Sequence, residues 1–172
     1  MPSVSRYNPA SPDFAREEYP FYWLARVYGV YTLEMEKALK AVALDVPTWR
    51  ILMILKEQGT SSMSDIALHA VAKLSTVTKT VYRIKDEGLV ETSTSTQDAR
   101  VTVVSLTPAG QRAIERGQIA TQHIVLRSFE GMTPGQVKRL NESLHMILDN
   151  LSPRHSEASA GALRRPGSAA KA

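Results

Sequence analysis

The stretch LSTVTKTVYRIKDEGLVETSTSTQDARVTVVSLTPAG, residues 74–110, decides the fold. Its first part has helical period, with Val77, Val81 and Ile84 as one inward stripe. Ser75 is placed to cap this helix and Gly88 to end it, which predicts a helix from Ser75 to Glu87. Its exposed side offers Ser75, Thr76, Thr78, Lys79, Thr80 and Arg83, and four cations but no anion stand between Lys73 and Lys85. The period then drops to two. Leu89–Thr92 and Val101–Leu106 are β-rich and flank a polar, turn-like Ser93–Arg100, so a hairpin with a long tip is predicted. Thr107-Pro108 restarts helix, with an N-cap followed by a first-position proline.

Upstream, Ser62-Met63-Ser64-Asp65 has capping spacing, and Ile66, Ala67 and Val71 give a short amphipathic helix. Before it, Pro47 opens a helix that runs to Gln58, with Gly59 as its stop. Two short helices, a turn and a hairpin are the parts of a winged helix-turn-helix. The second helix has to fit a major groove about 12 Å wide, and hydroxyls with Lys and Arg suit phosphates and base edges. Alternatively that polar side is an ordinary solvated face. Arg100, at the hairpin tip, can reach a minor groove, where narrow A·T tracts concentrate negative potential. Asp98 then braces the arginine or the turn by charge-assisted hydrogen bonds. The bland alternative is a surface ion pair.

Further out, a helix is expected from about Phe14 to Val42. Its apolar face is broad, with Tyr22, Leu24, Val27, Tyr28, Tyr31, Leu33, Met35, Ala38 and Leu39. Such a helix needs cover on more than one side, from a second subunit or from a large intrachain core. One helix follows Pro108 to about Glu130. A last one follows Thr133-Pro134, with Val137, Leu140, Leu144, Ile147 and Leu148 on its apolar side. The expected organisation is an extended arm over 1–13, helical segments over 14–45 and 107–151, a lobe over 46–106 that holds the two short helices and the hairpin, and a disordered basic tail over 152–172; the resemblance described below implies that the helical segments are dimerisation segments and the lobe the DNA-binding one. The class is mainly α with a small β-wing.

Composition excludes several functions. Without cysteine there are no disulfides, thiol catalysis, cysteine–zinc sites or thiol redox sensing. The four histidines, His69, His123, His145 and His155, show no HExxH spacing and no clear carboxylate pair, and no phosphate loop is present, so no enzyme is expected. No stretch approaches the roughly 20 apolar residues of a spanning helix. Met1 to Pro20 has no apolar signal-peptide core, so a cytoplasmic protein is expected. The net charge of +4 is a poor witness for DNA. Arg154, Arg164, Arg165 and Lys171 against Glu157 place +3 of it in the tail.

Asp98-Ala99-Arg100, followed at fixed spacing by Leu106-Thr107-Pro108-Ala109-Gly110, resembles the DxR…LTxxG signature of the MarR family. Leu74 to Thr78, with Gly88-Leu89-Val90, is similar to its recognition helix and exit. The resemblance extends over about Tyr19 to Leu151. It implies a homodimeric winged helix-turn-helix regulator, with the first helix and the last two at the dimer interface and a pseudo-palindromic operator. It would bring Ser75, Thr76, Thr78, Lys79 and Arg83 to the major groove and Arg100 to the minor groove.

The resemblance also implies release from DNA by a small aromatic acid held between the dimer helices and the DNA-binding lobe. Trp49-Arg50 suits that role, since a guanidinium forks a carboxylate and an indole stacks on a flat ring. Thr48 adjoins them. Tyr22, Trp23, Arg26 and Tyr28 offer the same chemistry on the first helix, and Met53, Leu68 and His69 are candidates for a wall. Each has a plainer alternative: Trp49 as core, Arg50 in a structural ion pair, Arg26 at the surface. A hydroxycinnamate or an indole-3-acetate-like acid is the expected effector of a repressor of aromatic-acid catabolic genes. No other cofactor is implied. A metal-responsive or ligand-independent winged-helix protein is the alternative.

Overall fold

The computed structural model describes residues 6–152. The chain divides into two units, residues 1–126 and 127–172. The first contains a short 3-10 turn (Arg16–Glu18) and then α1 (Pro20–Lys40), α2 (Val46–Gln58), β1 (Ser61–Ser62), α3 (Met63–Ala70), α4 (Leu74–Asp86), β2 (Val90–Thr94), β3 (Thr102–Leu106) and most of α5 (Pro108–Ser128). The second contains α6 (Pro134–Leu151). The mainly helical winged architecture expected from the sequence is present.

Local chemistry sets the boundaries. Pro20 has no N–H to donate and biases Tyr19 toward extended backbone (φ −87°, ψ 110°), so α1 starts there and not at Phe14. Residues 6–13 are turns and not an extended arm. Asn8 and Ser11 bond locally, and the Ala15 N–H donates to the Arg6 carbonyl at 2.7 Å. The expected tail beyond Ser152 lies outside the described residues. Asp45 caps α2 by accepting from the Thr48 N–H at 2.8 Å, and Gly59 closes it at φ 76°. Thr133 and Gln136 form a full capping box on α6. Ser75 is not the cap of α4. Lys73 holds that position with no side-chain cap, and Ser75 lies within the first turn.

The hairpin has register Val90↔Leu106 and Thr94↔Thr102, and β1 adds a third antiparallel strand on the far side of β3, with Ser61 opposite Val104. That strand was not expected, because two serines carry no alternating pattern. It fastens the wing to the segment entering α3. The core joins Met35 and Leu39 of α1, Ile51, Leu52 and Leu55 of α2, Ile66 of α3, Val77, Val81 and Ile84 of α4, and Ile114 of α5. Only the C-terminal half of α1 contributes. Val27, Val30 and Leu33 remain exposed within the chain.

Val71 ends α3 in the left-handed region (φ 50°, ψ 49°) with 91% of its surface exposed. A β-branched residue is strained there. The strained residue sits at the turn that sets the angle between α3 and α4.

Candidate nucleic-acid interface and the adjoining pocket

Helical periodicity splits the polar residues of α4 between two faces. Val77, Val81 and Ile84 are buried. Ser75 and Lys79 lie one turn apart on the exposed side, and Tyr82 continues their row. Tyr82 was missed in the sequence because a tyrosine reads as ordinary helix surface; its i+7 spacing from Ser75 was the available signal. The Lys85 ammonium lies 5.9 Å from its ring centroid. The Thr78 hydroxyl donates back to the Leu74 carbonyl at 2.8 Å. Thr76 and Thr80 turn the other way, into a cavity.

Arg83, placed at the groove by sequence reasoning, is held elsewhere. Its Nη2 donates to Asp45 Oδ2 at 2.7 Å and to Thr48 Oγ1 at 2.9 Å, and its Nη1 reaches Glu87 at 3.1 Å. The guanidinium therefore ties α4 to the start of α2. Burial disfavours the ionised Asp45, but hydrogen bonds from Thr48 and Arg83 together hold its carboxyl below the usual range. Thr48, only 1% exposed, belongs to this clamp and not to a ligand wall.

At the wing tip Asp98 grips Arg100 three times. Its Oδ1 accepts from the Arg100 backbone N–H at 2.9 Å and from Nε at 3.1 Å, and its Oδ2 accepts from Nη2 at 3.1 Å. The expected brace is present. Hydrogen bonding from Arg100 lowers the Asp98 pKa, which keeps the brace ionised. The Arg100 side chain is otherwise 90% exposed, an oriented cation at the tip of the wing.

Under α4 lies a cavity of about 290 Å³, walled by α1, α2, the end of α3 and α4. Arg50 lines it, donating from Nη1 to the Ala70 carbonyl at 3.1 Å and from Nη2 to the Tyr28 hydroxyl at 2.7 Å. No acid among the described residues neutralises this guanidinium, so it is not the structural ion pair considered above. The bond from Arg50 lowers the Tyr28 pKa, against the opposing effect of burial.

Of the ten residues suggested for a ligand, only Tyr28 and Arg50 meet in this cavity. Trp49 faces α5. A Cβ built on Gly117 would lie 2.3 Å from Trp49 Cζ3, so the indole fills the space a side chain would take. Met53 packs against the core. His69 meets Gln58, ring nitrogen to amide nitrogen at 3.0 Å. Tyr22, Trp23 and Arg26 stand at the start of α1, where Trp23 donates to the Glu17 carbonyl and Arg26 to the Tyr22 hydroxyl. Sequence reasoning missed the other lining residues, among them Thr32, Glu36, Val46, Ile51, Ala72 and Thr80. Among the described residues no group of three or more His, Asp or Glu side chains gathers to hold a metal, and no helix is long and apolar enough to cross a membrane.

Comparison with known proteins agrees with this fold. The MarR family model matches residues 44–102. The chain is 54% identical to the HTH-type transcriptional repressor IacR of Pseudomonas putida over 147 residues, covering 86% of this chain and 88% of that protein. A MarR-family transcriptional regulator from Silicibacter pomeroyi superimposes with a TM-score of 0.74 at 27% identity, over 81% of this chain and 94% of its own. CouR from Rhodococcus jostii, solved with p-coumaroyl-CoA, shares the fold at 23% identity, with a TM-score of 0.71 over 77% of this chain and 94% of its own.

Proposed function

The chain belongs to the MarR family, and on that premise we propose a repressor whose hold on its operator is set by a small aromatic carboxylate bound between α1, α2 and α4. The coarser statement stands without the proposal: this is a MarR-type transcriptional repressor, a DNA-binding regulator and not an enzyme. In the proposed complex Ser75, Lys79 and Tyr82 face the major groove and Arg100 the minor groove. The apolar surfaces left open on α1 (Val27, Leu33), α5 (Ile119, Leu126) and α6 (Met146, Leu148) are the material of a homodimer interface. A two-fold dimer reads two half-sites about one helical turn apart.

One observation carries the effector reading: a partly buried arginine, with no ion-pair partner among the described residues, lines a half-open cavity with a tyrosine hydroxyl fixed beside it. A guanidinium taken out of water favours an anion, and a carboxylate matches its fork. Val46, Ile51 and Val77 supply an apolar surface for a flat ring. Thr76, Val77 and Thr80 belong to α4, so an occupant touches the recognition helix directly. That contact can give the ligand different affinities for the DNA-competent and incompetent states, without which it would shift nothing. The genes it controls, on this reading, degrade the acid that releases it.

Calorimetry with a panel of aryl acids tests the proposal. Arg50→Ala should weaken the tightest-binding acid roughly tenfold to a hundredfold, the scale of a lost charge-assisted hydrogen bond. Unchanged affinity would remove Arg50 from the site, and no binding by any acid would remove the effector reading.

A further inference from the structure

We infer that Glu36 is a specificity-determining acceptor at the end of the cavity opposite Arg50, so that the protein prefers aromatic acids carrying an N–H or O–H donor on the ring, remote from the carboxylate; this rests on the acid-binding reading above. Tyr28, Thr32 and Glu36 are spaced by four, form one row along α1, and all three line the cavity. Eight residues of helix separate the Cα atoms of Tyr28 and Glu36 by about 12 Å. The Tyr28 end holds the Arg50 guanidinium, fixed by the hydroxyl and by the Ala70 carbonyl. After the short connection from α1, Val46 at the start of α2 joins the same lining.

The cavity is therefore polarised, with a cation at one end and a carboxylate at the other. Among the described residues Glu36 has no hydrogen-bond or ion-pair partner. An ionised carboxylate accepts hydrogen bonds and donates none, so it rewards a donor. It also repels a second carboxylate, which confines the acid group of the ligand to Arg50. The two ends thus fix one orientation of an elongated ligand. At about 290 Å³ the cavity lies at the small end of ligand sites, which suits a free one- or two-ring acid.

The experiment is calorimetry on the full chain with two matched pairs of acids. Indole-3-acetate is paired with 1-benzofuran-3-acetate, which replaces the ring N–H by oxygen. 4-Hydroxyphenylacetate is paired with phenylacetate. Wild type should prefer the donor-bearing member of at least one pair by about tenfold, the scale of one hydrogen bond to a charged group. Glu36→Ala should abolish that preference by weakening the donor-bearing acid alone, and Glu36→Gln, which keeps an acceptor oxygen, should retain part of it. Equal binding within both pairs, or a preference that survives Glu36→Ala, overturns this inference and leaves the acid-binding reading intact. If no acid of either pair binds, that reading fails and the inference with it. Glu36 is exposed, so neither variant should disturb the fold.

Discussion

Replacing Arg100 by alanine should weaken binding to a duplex selected from a random library by about 1–3 kcal/mol, roughly tenfold to a hundredfold, with the melting temperature unchanged. The two halves of this expectation have separate causes. Among the described residues the Arg100 side chain bonds to Asp98 alone, and Arg100 is exposed with Asp98 only partly covered, so the pair adds little to folding. Its three contacts with Asp98 instead hold a cation outward at the tip of the hairpin. Asp98→Ala should give a smaller loss, because it removes the aim and leaves the charge. Anisotropy titration of the same duplex measures both variants. An Arg100→Ala protein that binds like wild type would sink the wing assignment.

Gly110→Ala should destabilise the first unit by about 3 kcal/mol, the upper part of the range for overpacking a close-fitted site. Helix propensity alone argues the reverse, since alanine in place of glycine favours a helix by about 1 kcal/mol. Sterics decides. A Cβ on Gly110 would stand 2.1 Å from the Leu89 carbonyl oxygen and 3.2 Å from Leu106 Cδ2. The carbonyl cannot swing aside, because it accepts from the Thr107 N–H at 3.2 Å. Leu89 and Leu106 lie at the base of the wing, so the strain falls on the element that carries Arg100. Gly135→Ala is the control. Its nearest neighbour is a flexible Arg139 at 3.5 Å, and the change should be close to neutral. Thermal and urea unfolding distinguish the cases; equal stability of both variants would contradict the packing argument.

The Gly110 contact shows why the reading head was legible in the sequence. The Thr107 hydroxyl donates to the Gly88 carbonyl across the base of the hairpin and accepts from the Gly110 N–H three residues on. Contacts that close one hairpin of fixed length leave fixed spacing in the chain. The inward stripe of α4 and the Asp98 brace are local in the same sense. The pocket is not. Trp49 and Arg50 are adjacent in the sequence, yet tertiary packing sends them to different neighbours. The indole packs over Gly117 and the guanidinium enters the cavity. Thr32, Glu36 and Thr80 read as solvated helix faces until tertiary packing sets three helices around one space. The tie from Arg83 to Asp45 was hidden for a related reason, since Asp45 lies 38 residues earlier in the chain.

The central claim is that α4 and the wing form a reading head for double-stranded DNA. The dependence of duplex affinity on salt tests it most directly. Lys79 and Arg100 stand exposed, and a protein that neutralises phosphates releases counterions. The logarithm of affinity should fall linearly with the logarithm of salt concentration, with a loss of at least tenfold between about 50 and 200 mM, and Lys79→Ala should reduce the slope by about one. An affinity that stays flat across that range would contradict the account.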